Sequence, residues 1–474
     1  MRDTKCDRRG FLKWTAAGLG TAATSCVSEN VRARERKRPN IIFILADDLG
    51  YGDLGCFGQQ KIKTPNLDRM AAEGMKLTDH YSGSTVCAPS RCCFMTGYHT
   101  GHAVVRGNKE QRPIGQYPLP SEQVTVAEVL KKAGYATGAT GKWGLGPPDS
   151  EGAPNKQGFD FFYGYNCQRN AHFYYPEFLW RNEKKDSLPG NHGDKEETYS
   201  HDVIADEALS FIKRHADEPF FLFVPFTIPH AELAVPEDSL NQYKGKFPEE
   251  PFPGRHYGAQ KYPRAAYAGM VSRMDRDVGR ILSLLKELGL DDNTLVLFSS
   301  DNGPHHEGGN DPQFFDSNGP FRGIKRDLYE GGIRVPTIAR WPGKVEAGTV
   351  NDHPSAFWDF LPTAADVAGV SAPAGIDGIS YLPTLLGQKS KQKEHKYLYW
   401  EFPARGGRQA VRMGKWKAVR LNVRKKPDGP IELYNLEKDI GEENNIADKH
   451  PDIVRRMDEI MQEARVKSNL FPLT

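Results

Sequence analysis

Residues 41–46 read Ile-Ile-Phe-Ile-Leu-Ala, an apolar run without alternation. A strand with one wet face alternates apolar and polar residues, so an unbroken run needs cover on both faces. A sheet layered between helices provides that cover, which narrows the fold sharply. The same texture recurs at 220–226 (Phe-Phe-Leu-Phe-Val-Pro-Phe) and 294–299, with a shorter strand signal at 135–139. Helical signals fall between these runs. Thr64 caps a helix with Pro65 at its first position and a stop at Gly74, and further helices are expected at 125–132 and 202–215. A long amphipathic helix is expected at 263–288, with Met270, Met274, Val278, Ile281, Leu282 and Leu285 at helical spacing and a stop at Gly289. Its methionines read as core. Alternating strands and helices predict an α/β fold with a large, mostly parallel central sheet flanked by helices.

Beyond about Gly378 the pattern shifts to short strand signals at 396–402, 409–413, 416–421 and 431–436, then a helix at 451–464. This predicts a smaller C-terminal antiparallel sheet plus a helix. The expected organisation is 1–38 as export signal and linker, 39–377 as the α/β domain, and 378–474 as the C-terminal subdomain.

In open α/β sheets, ligands bind beyond the carboxyl ends of the strands. Asp47, Asp48, Lys142, His230, Asp301 and Asn302 follow four separate strand-like runs, which predicts one site. Its carboxylates and amide are hard oxygen donors, which favour calcium or magnesium over zinc. His230, at a strand end opposite the acidic residues, is a general-acid candidate.

The stretch Cys87-Ala88-Pro89-Ser90-Arg91-Cys92-Cys93-Phe94-Met95-Thr96-Gly97 is hard to explain as packing. Pro89 predicts a helix start with Cys87 just outside the first turn, facing unpaired N–H donors, and with its pKa lowered. Arg91 can point a forked cation at the same spot. Cys-x-Pro-Ser-Arg, followed by three residues, an apolar residue, Thr and Gly, resembles the signature of the sulfatase family, which sits within an alkaline-phosphatase-like superfamily. The resemblance extends over about 39–465 and includes the second subdomain. It implies that a maturation enzyme converts Cys87 to Cα-formylglycine, whose hydrate attacks sulfur and later expels sulfate. It also implies that Asp47, Asp48, Asp301 and Asn302, with the modified Cys87, hold a divalent cation. Lys142 and Lys325 would bind sulfate oxygens, Arg91 would balance charge, and His230 would protonate the leaving group. Lys325 matches by its spacing to Glu330-Gly331-Gly332, and neighbouring Arg326 reads as a surface residue. Gly144 departs from the family pattern, where many members carry histidine.

For the substrate pocket, Arg106, Asn108 and His172 are candidates. His305 is either a contact to the sugar or leaving group, or a surface histidine. The aromatic run at 159–166 and 172–175 either stacks on sugar rings or packs in the core.

Charge says little about partners beyond this site: Lys+Arg 63 against Asp+Glu 61 gives no argument for nucleic acid. The seven cysteines form no metal or disulfide-framework spacing. Arg8-Arg9-Gly10-Phe11-Leu12-Lys13, followed by a mild apolar stretch, resembles a twin-arginine export signal. It implies the twin-arginine export machinery as a partner and a periplasmic or extracellular address, with Cys26 a candidate lipid attachment point. No run after it is long enough to span a bilayer. The reading is therefore an exported sulfatase releasing sulfate from a sulfated saccharide or an aryl sulfate. The alternatives are a phosphatase or phosphodiesterase of the same superfamily and a non-catalytic carbohydrate-binding relative. The phosphatase chemistry usually needs two zinc ions, for which the chain lacks the extra His/Asp set.

Overall fold

Strand Asn40–Ala46 is buried along its whole length and lies inside a ten-stranded sheet. Its alternation is hidden because both faces are covered. Ile41, Phe43 and Leu45 join one core with Phe94, Val126 and Phe360, while Ile42 and Ile44 join another with Met70, Met274 and Ile281. Helices Cys87–Thr96, Val126–Lys132 and Phe360–Ala368 therefore cover one face. Helices Pro65–Ala72, Ser200–Arg214 and Pro263–Glu287 cover the other. Phe94 stacks on Phe360 at 4.4 Å and meets Phe43 edge-on at 4.5 Å. Burying each such ring contributes about 1.5–3 kcal/mol. Met270 and Met274 are core residues, as expected.

The computed structural model describes residues 38–111, 115–193 and 195–473. The twin-arginine motif, Cys6 and Cys26 lie outside the described residues. Asn40–Ala46 pairs in parallel with Phe220–Pro225 on one side and Thr294–Ser300 on the other. Ala136–Lys142 continues the parallel order beside Phe220–Pro225, followed by Phe161–Tyr165. Thr337–Arg340 pairs antiparallel with Thr294–Ser300, and the hairpin Phe178–Arg181 with Lys184–Ser187 closes the far edge. Because the four inner strands run the same way, Asp47, Lys142, the turn before His230, and Asp301 emerge at one edge of the sheet.

The second sheet is antiparallel, in the order Leu398–Phe402, Arg408–Met413, Trp416–Leu421, Ile431–Asn435. Helix Pro451–Glu463 lays Met457, Ile460 and Met461 on Tyr399, Val411, Ala418 and Leu433. Buried ion pairs join this sheet to the rest of the chain. Lys417 Nζ donates to Glu330 Oε1 at 2.7 Å, and Arg106 to Glu401 Oε1 at 2.8 Å. From Arg38 onward the chain is one compact unit.

Three local expectations change. Thr64 does not cap its helix: its hydroxyl serves Gly55 N–H and Asp68. Asp275, from the long helix, accepts from the N–H groups of Asn66 and Leu67 instead. The strand expected to end at 139 continues to Lys142, so this lysine ends a strand rather than sitting in a glycine-rich loop. The aromatic run is mostly core, with Phe159, Phe162, Tyr163 and Tyr165 buried and Phe173 exposed. Among the described residues Cys56, Cys87, Cys92, Cys93 and Cys167 are free thiols, and no helix is long and apolar enough to cross a membrane.

Candidate active site

Helix Cys87–Thr96 starts two residues earlier than Pro89 suggested, with Val86 as its N-cap. The first N–H groups of a helix have no intrahelical partner, so proline is tolerated within the first turn, not only at its first position. Cys87 is therefore inside the helix, and the Ala88 N–H next to it is taken by Asn108 Oδ1 at 3.0 Å. The expected lowering of the thiol pKa is also reversed. Burial pushes the Cys87 thiol up, and the Asp47 carboxylate adds to this.

Around the thiol, four strand ends and two loops bring charges together. Cys87 Sγ lies 3.4 Å from Asp47 Oδ1 and 3.5 Å from Lys142 Nζ. Lys142 Nζ donates to Asp47 Oδ2 at 2.5 Å. Arg91, fully buried one turn into the helix, donates to Asp301 Oδ2 through NH2 at 2.8 Å and to the Lys142 carbonyl through NH1. Asp48 has a positive φ of 65°, which folds the chain back so that its N–H reaches Asp301 Oδ1 at 3.2 Å. Lys325 Nζ donates to Asp48 Oδ2 at 2.6 Å and to His230 Nε2 at 3.0 Å. Burial raises both Asp47 and Asp301, but Lys142, Arg91 and Lys325 hold Asp47 below the ordinary carboxylate range. Burial, with the Asp47 carboxylate beside it, pushes Asp301 up.

The oxygen donors suit a hard cation. Asp47, Asp48 and Asp301 present carboxylates, and the buried Asn302 Oδ1 has no protein partner. The Asn302 amide is oriented by its NH2, which donates to Asp48 Oδ1 at 2.7 Å and to the Gly303 carbonyl at 2.9 Å. An unpaired buried carbonyl is costly, by about 1–3 kcal/mol, unless something else meets it. The donor chemistry fits calcium or magnesium.

Three imidazoles line up beside this cluster. His172 stacks on His230 at 4.1 Å, and His305 lies 5.6 Å from His230 on a similar plane. His230 Nδ1 faces the Ala231 carbonyl, which leaves Nε2 toward Lys325 and Asp48. His305 is not a surface residue. It is fully buried, with Nε2 on the Pro229 carbonyl at 3.1 Å and Nδ1 accepting the Glu307 N–H at 3.0 Å.

Arg106 is placed elsewhere. Its guanidinium is consumed by Glu401 and the carbonyls of Ala103 and Val466, so it ties the loop after helix Cys87–Thr96 to the second sheet. Arg326 is not a free surface residue, because it pairs with Glu307 at 2.5 Å. Glu307 was not picked out from the sequence. It bridges Arg326 and Lys325, and no spacing rule marks it.

Gln168 was missed as well. Gly144 has φ +79, and a Cβ there would lie 1.9 Å from Gln168 Nε2. Gln168 thus fills the room that a side chain at 144 would need. It is 4% exposed, and neither end of its amide has a protein partner.

The family model described as Sulfatase matches residues 39–370. A second, described as N-sulphoglucosamine sulphohydrolase, C-terminal, matches residues 321–467. The chain is 34% identical to N-acetylgalactosamine-6-sulfatase of Canis lupus familiaris, over 86% of this chain and 75% of the relative. It is 32% identical to human arylsulfatase A, over 95% and 90%. Among solved structures, Ps i-CgsB in complex with k-i-k-neocarrahexaose superposes with a TM-score of 0.76 at 29% identity, covering 90% of this chain and 92% of that one.

Proposed function

Because the chain belongs to the sulfatase family, and is thus a sulfuric ester hydrolase, we propose that it releases inorganic sulfate from a sulfated carbohydrate, using Cys87 matured to Cα-formylglycine. A hydrated formylglycine at this position supplies a hydroxyl nucleophile that Cys or Ser would not replace, since its second hydroxyl allows sulfate to be expelled. A calcium or magnesium ion held by Asp47, Asp48, Asp301, Asn302 and residue 87 would supply Lewis acidity and offset sulfate charge.

The chain's own side chains carry the rest. Lys142 and Arg91 converge on the side of the thiol that faces Asp47 and Asp301; Lys142 would meet a sulfate oxygen there, and Arg91, bonded to Asp301 and the Lys142 carbonyl, would balance charge. Lys325 lies between Asp48 and His230 and would meet an oxygen near the leaving group. His230 Nε2, which accepts from Lys325 Nζ, would relay a proton drawn from that ammonium to the departing alcohol. His172 and His305 hold that ring from both faces. Fixed charges of this kind need no reorganisation as the transition state forms.

The observation that carries the proposal is the convergence of three buried cations and three carboxylates on one buried cysteine at a helix start. Mass analysis of the peptide containing Cys87, from protein made with a formylglycine-generating enzyme, should show the aldehyde. Cys87→Ala should abolish release of sulfate. Full activity with the unmodified thiol would overturn the mechanism. The fold itself does not choose the ester, since a phosphonate monoester hydrolase of Agrobacterium radiobacter shares it with a TM-score of 0.64 at 22% identity. Turnover of aryl sulfate against aryl phosphate, with calcium or zinc, separates the two chemistries. The proposal includes export through the twin-arginine machinery to the periplasm or beyond, with Cys26 as a candidate lipid anchor, on the strength of the leader sequence.

A further inference from the structure

A cleft of about 610 Å³ opens beside the candidate active site, between the two sheets. One wall starts at Val86, the residue before Cys87, and at Asn108, whose amide oxygen holds the Ala88 N–H. The other starts at Arg326, the residue after Lys325, whose own N–H is bonded to the Thr85 carbonyl at 3.0 Å. The cleft therefore begins one residue from the proposed nucleophile and one residue from a proposed sulfate-binding lysine.

Among the described residues its lining carries four cations, Lys109, Arg326, Arg405 and Arg424, and no carboxylate. Arg326 pairs with Glu307. Arg405 is 3.9 Å from Asp327, a carboxylate already held by Arg408 at 2.5 Å. Arg424 donates to the Pro472 carbonyl at 3.1 Å, which leaves its charge unneutralised. Lys109 lies over the Tyr117 and Phe471 rings. Such a set of like charges is costly to gather unless an anion meets it. The loops that carry Arg405 and Arg424 are also fixed to one another, through Arg424 N–H to the Gly406 carbonyl at 2.9 Å and Val423 N–H to the Gly407 carbonyl at 3.1 Å. Two cations on a shared, bonded loop pair are held ready rather than gathered at binding. Phe402 and Phe471 add apolar floor, which suits the face of a sugar ring.

We infer that this cleft binds a second anionic group, carried on a neighbouring sugar of the substrate, so that the chain favours multiply charged oligosaccharides over isolated monosulfated compounds, which it still turns over. This rests on the sulfatase reading for the scissile ester and adds the class of saccharide. The forked guanidinium groups of Arg326, Arg405 and Arg424 suit sulfate oxygens, and the start of the cleft at Val86 and Arg326 puts the second group next to the first.

Calorimetric binding of a sulfated dextran oligosaccharide, with an uncharged dextran of equal length as control, tests the cleft on the mature full-length protein. The sulfated probe should bind and the uncharged one should not. Arg405→Ala with Arg424→Ala should weaken binding roughly tenfold and flatten its salt dependence. Arg424→Glu is a second variant, with melting temperature as the check on folding, since both side chains are exposed. Equal binding by the variants, or equal binding of the uncharged probe, overturns the inference. Hydrolysis of 4-nitrophenyl sulfate, measured alongside, reports on the sulfatase reading separately: its absence in matured wild type counts against that reading, while the binding result still decides the cleft.

Discussion

Gln168→Met is the most informative single change. Both ends of the Gln168 amide are buried without a protein partner, beside the Lys142–Gly144 strand end. A buried amide left unpaired costs about 1–3 kcal/mol. Methionine keeps an unbranched chain of similar length and removes the polar atoms. The free enzyme should therefore gain about 1–3 kcal/mol. Unfolding entropy of about 2.1 cal/mol/K per residue, over a unit spanning Arg38–Thr474, turns each kcal/mol into roughly 1 °C. The expected rise in melting temperature is about 1–3 °C. If the amide meets a charged sulfate in the bound state, losing that bond costs about 1.5–3 kcal/mol, so kcat/KM for 4-nitrophenyl sulfate should fall roughly ten- to hundredfold. Differential scanning calorimetry and steady-state kinetics on one preparation give both numbers. A lower melting temperature would show that the amide is already satisfied, and the reasoning would fail. A higher melting temperature with unchanged kcat/KM would keep the orphan amide but remove its role in turnover.

Lys417→Met should be costly for a different reason. It strips a buried cation from Glu330 at 2.7 Å, leaving Arg334 on that carboxylate at 3.2 Å, and takes away the cation 3.5 Å from Glu442, so a loss of about 3–5 kcal/mol is expected in denaturant unfolding; a loss below about 1 kcal/mol would contradict it. Chelation should lower both activity and melting temperature by leaving Asp47, Asp48 and Asp301 facing one another, and calcium or magnesium should restore them; recovery with zinc alone would refute the hard-oxygen argument. His395→Gln carries a pH signature. Burial lowers the His395 pKa, but Asp359, 2.8 Å away, raises it further, so the folded value stands above the ordinary one. A raised histidine pKa stabilises fully below about pH 6.5 and loses that contribution as pH rises through the folded value. The drop in melting temperature should accordingly be larger at pH 5.5 than at pH 8.5, and equal drops would exclude the pair as its source.

How much was legible follows from how each residue is placed. Asp47, Asp48, Asp301 and Asn302 lie within two residues of the ends of parallel strands, and parallel pairing fixes where such ends go. The apolar runs alone therefore brought these four to one edge, and Lys142 with them once its strand ran to its full length. The antiparallel second sheet was equally readable from its tight turns and its period, within a residue or two at each boundary. Arg106 shows the opposite case: its sequence neighbours lie near Cys87, yet its side chain reaches Glu401, almost 300 positions later, because ion pairs between distant segments follow no local period. Cys87 shows a third case, in which the local rule was sound and the surroundings outweighed it. A cysteine at a helix start should be acidified, but two carboxylates and complete burial act in the other direction.

Gly144 and Gln168 combine these cases. The missing side chain at 144 could be seen only through the resemblance to the sulfatase family, in which many members carry histidine there. What takes its place could not, because Gln168 sits on a separate loop after strand Phe161–Tyr165, and only the parallel pairing of that strand with Ala136–Lys142 brings the two positions together. Their pairing has a consequence for exchange. Restoring a side chain at Gly144 alone must push Gln168 out of a 1.9 Å overlap and hold a non-glycine residue at φ +79, which costs about 1–2 kcal/mol in backbone strain. Gly144→His should therefore be poorly tolerated by itself. With Gln168→Ala beside it, the room is released and only the strain is left, so the double variant should recover part of the stability that the single variant loses. Equal melting temperatures for the single and double variants would mean that the two positions do not share the space that the geometry gives them.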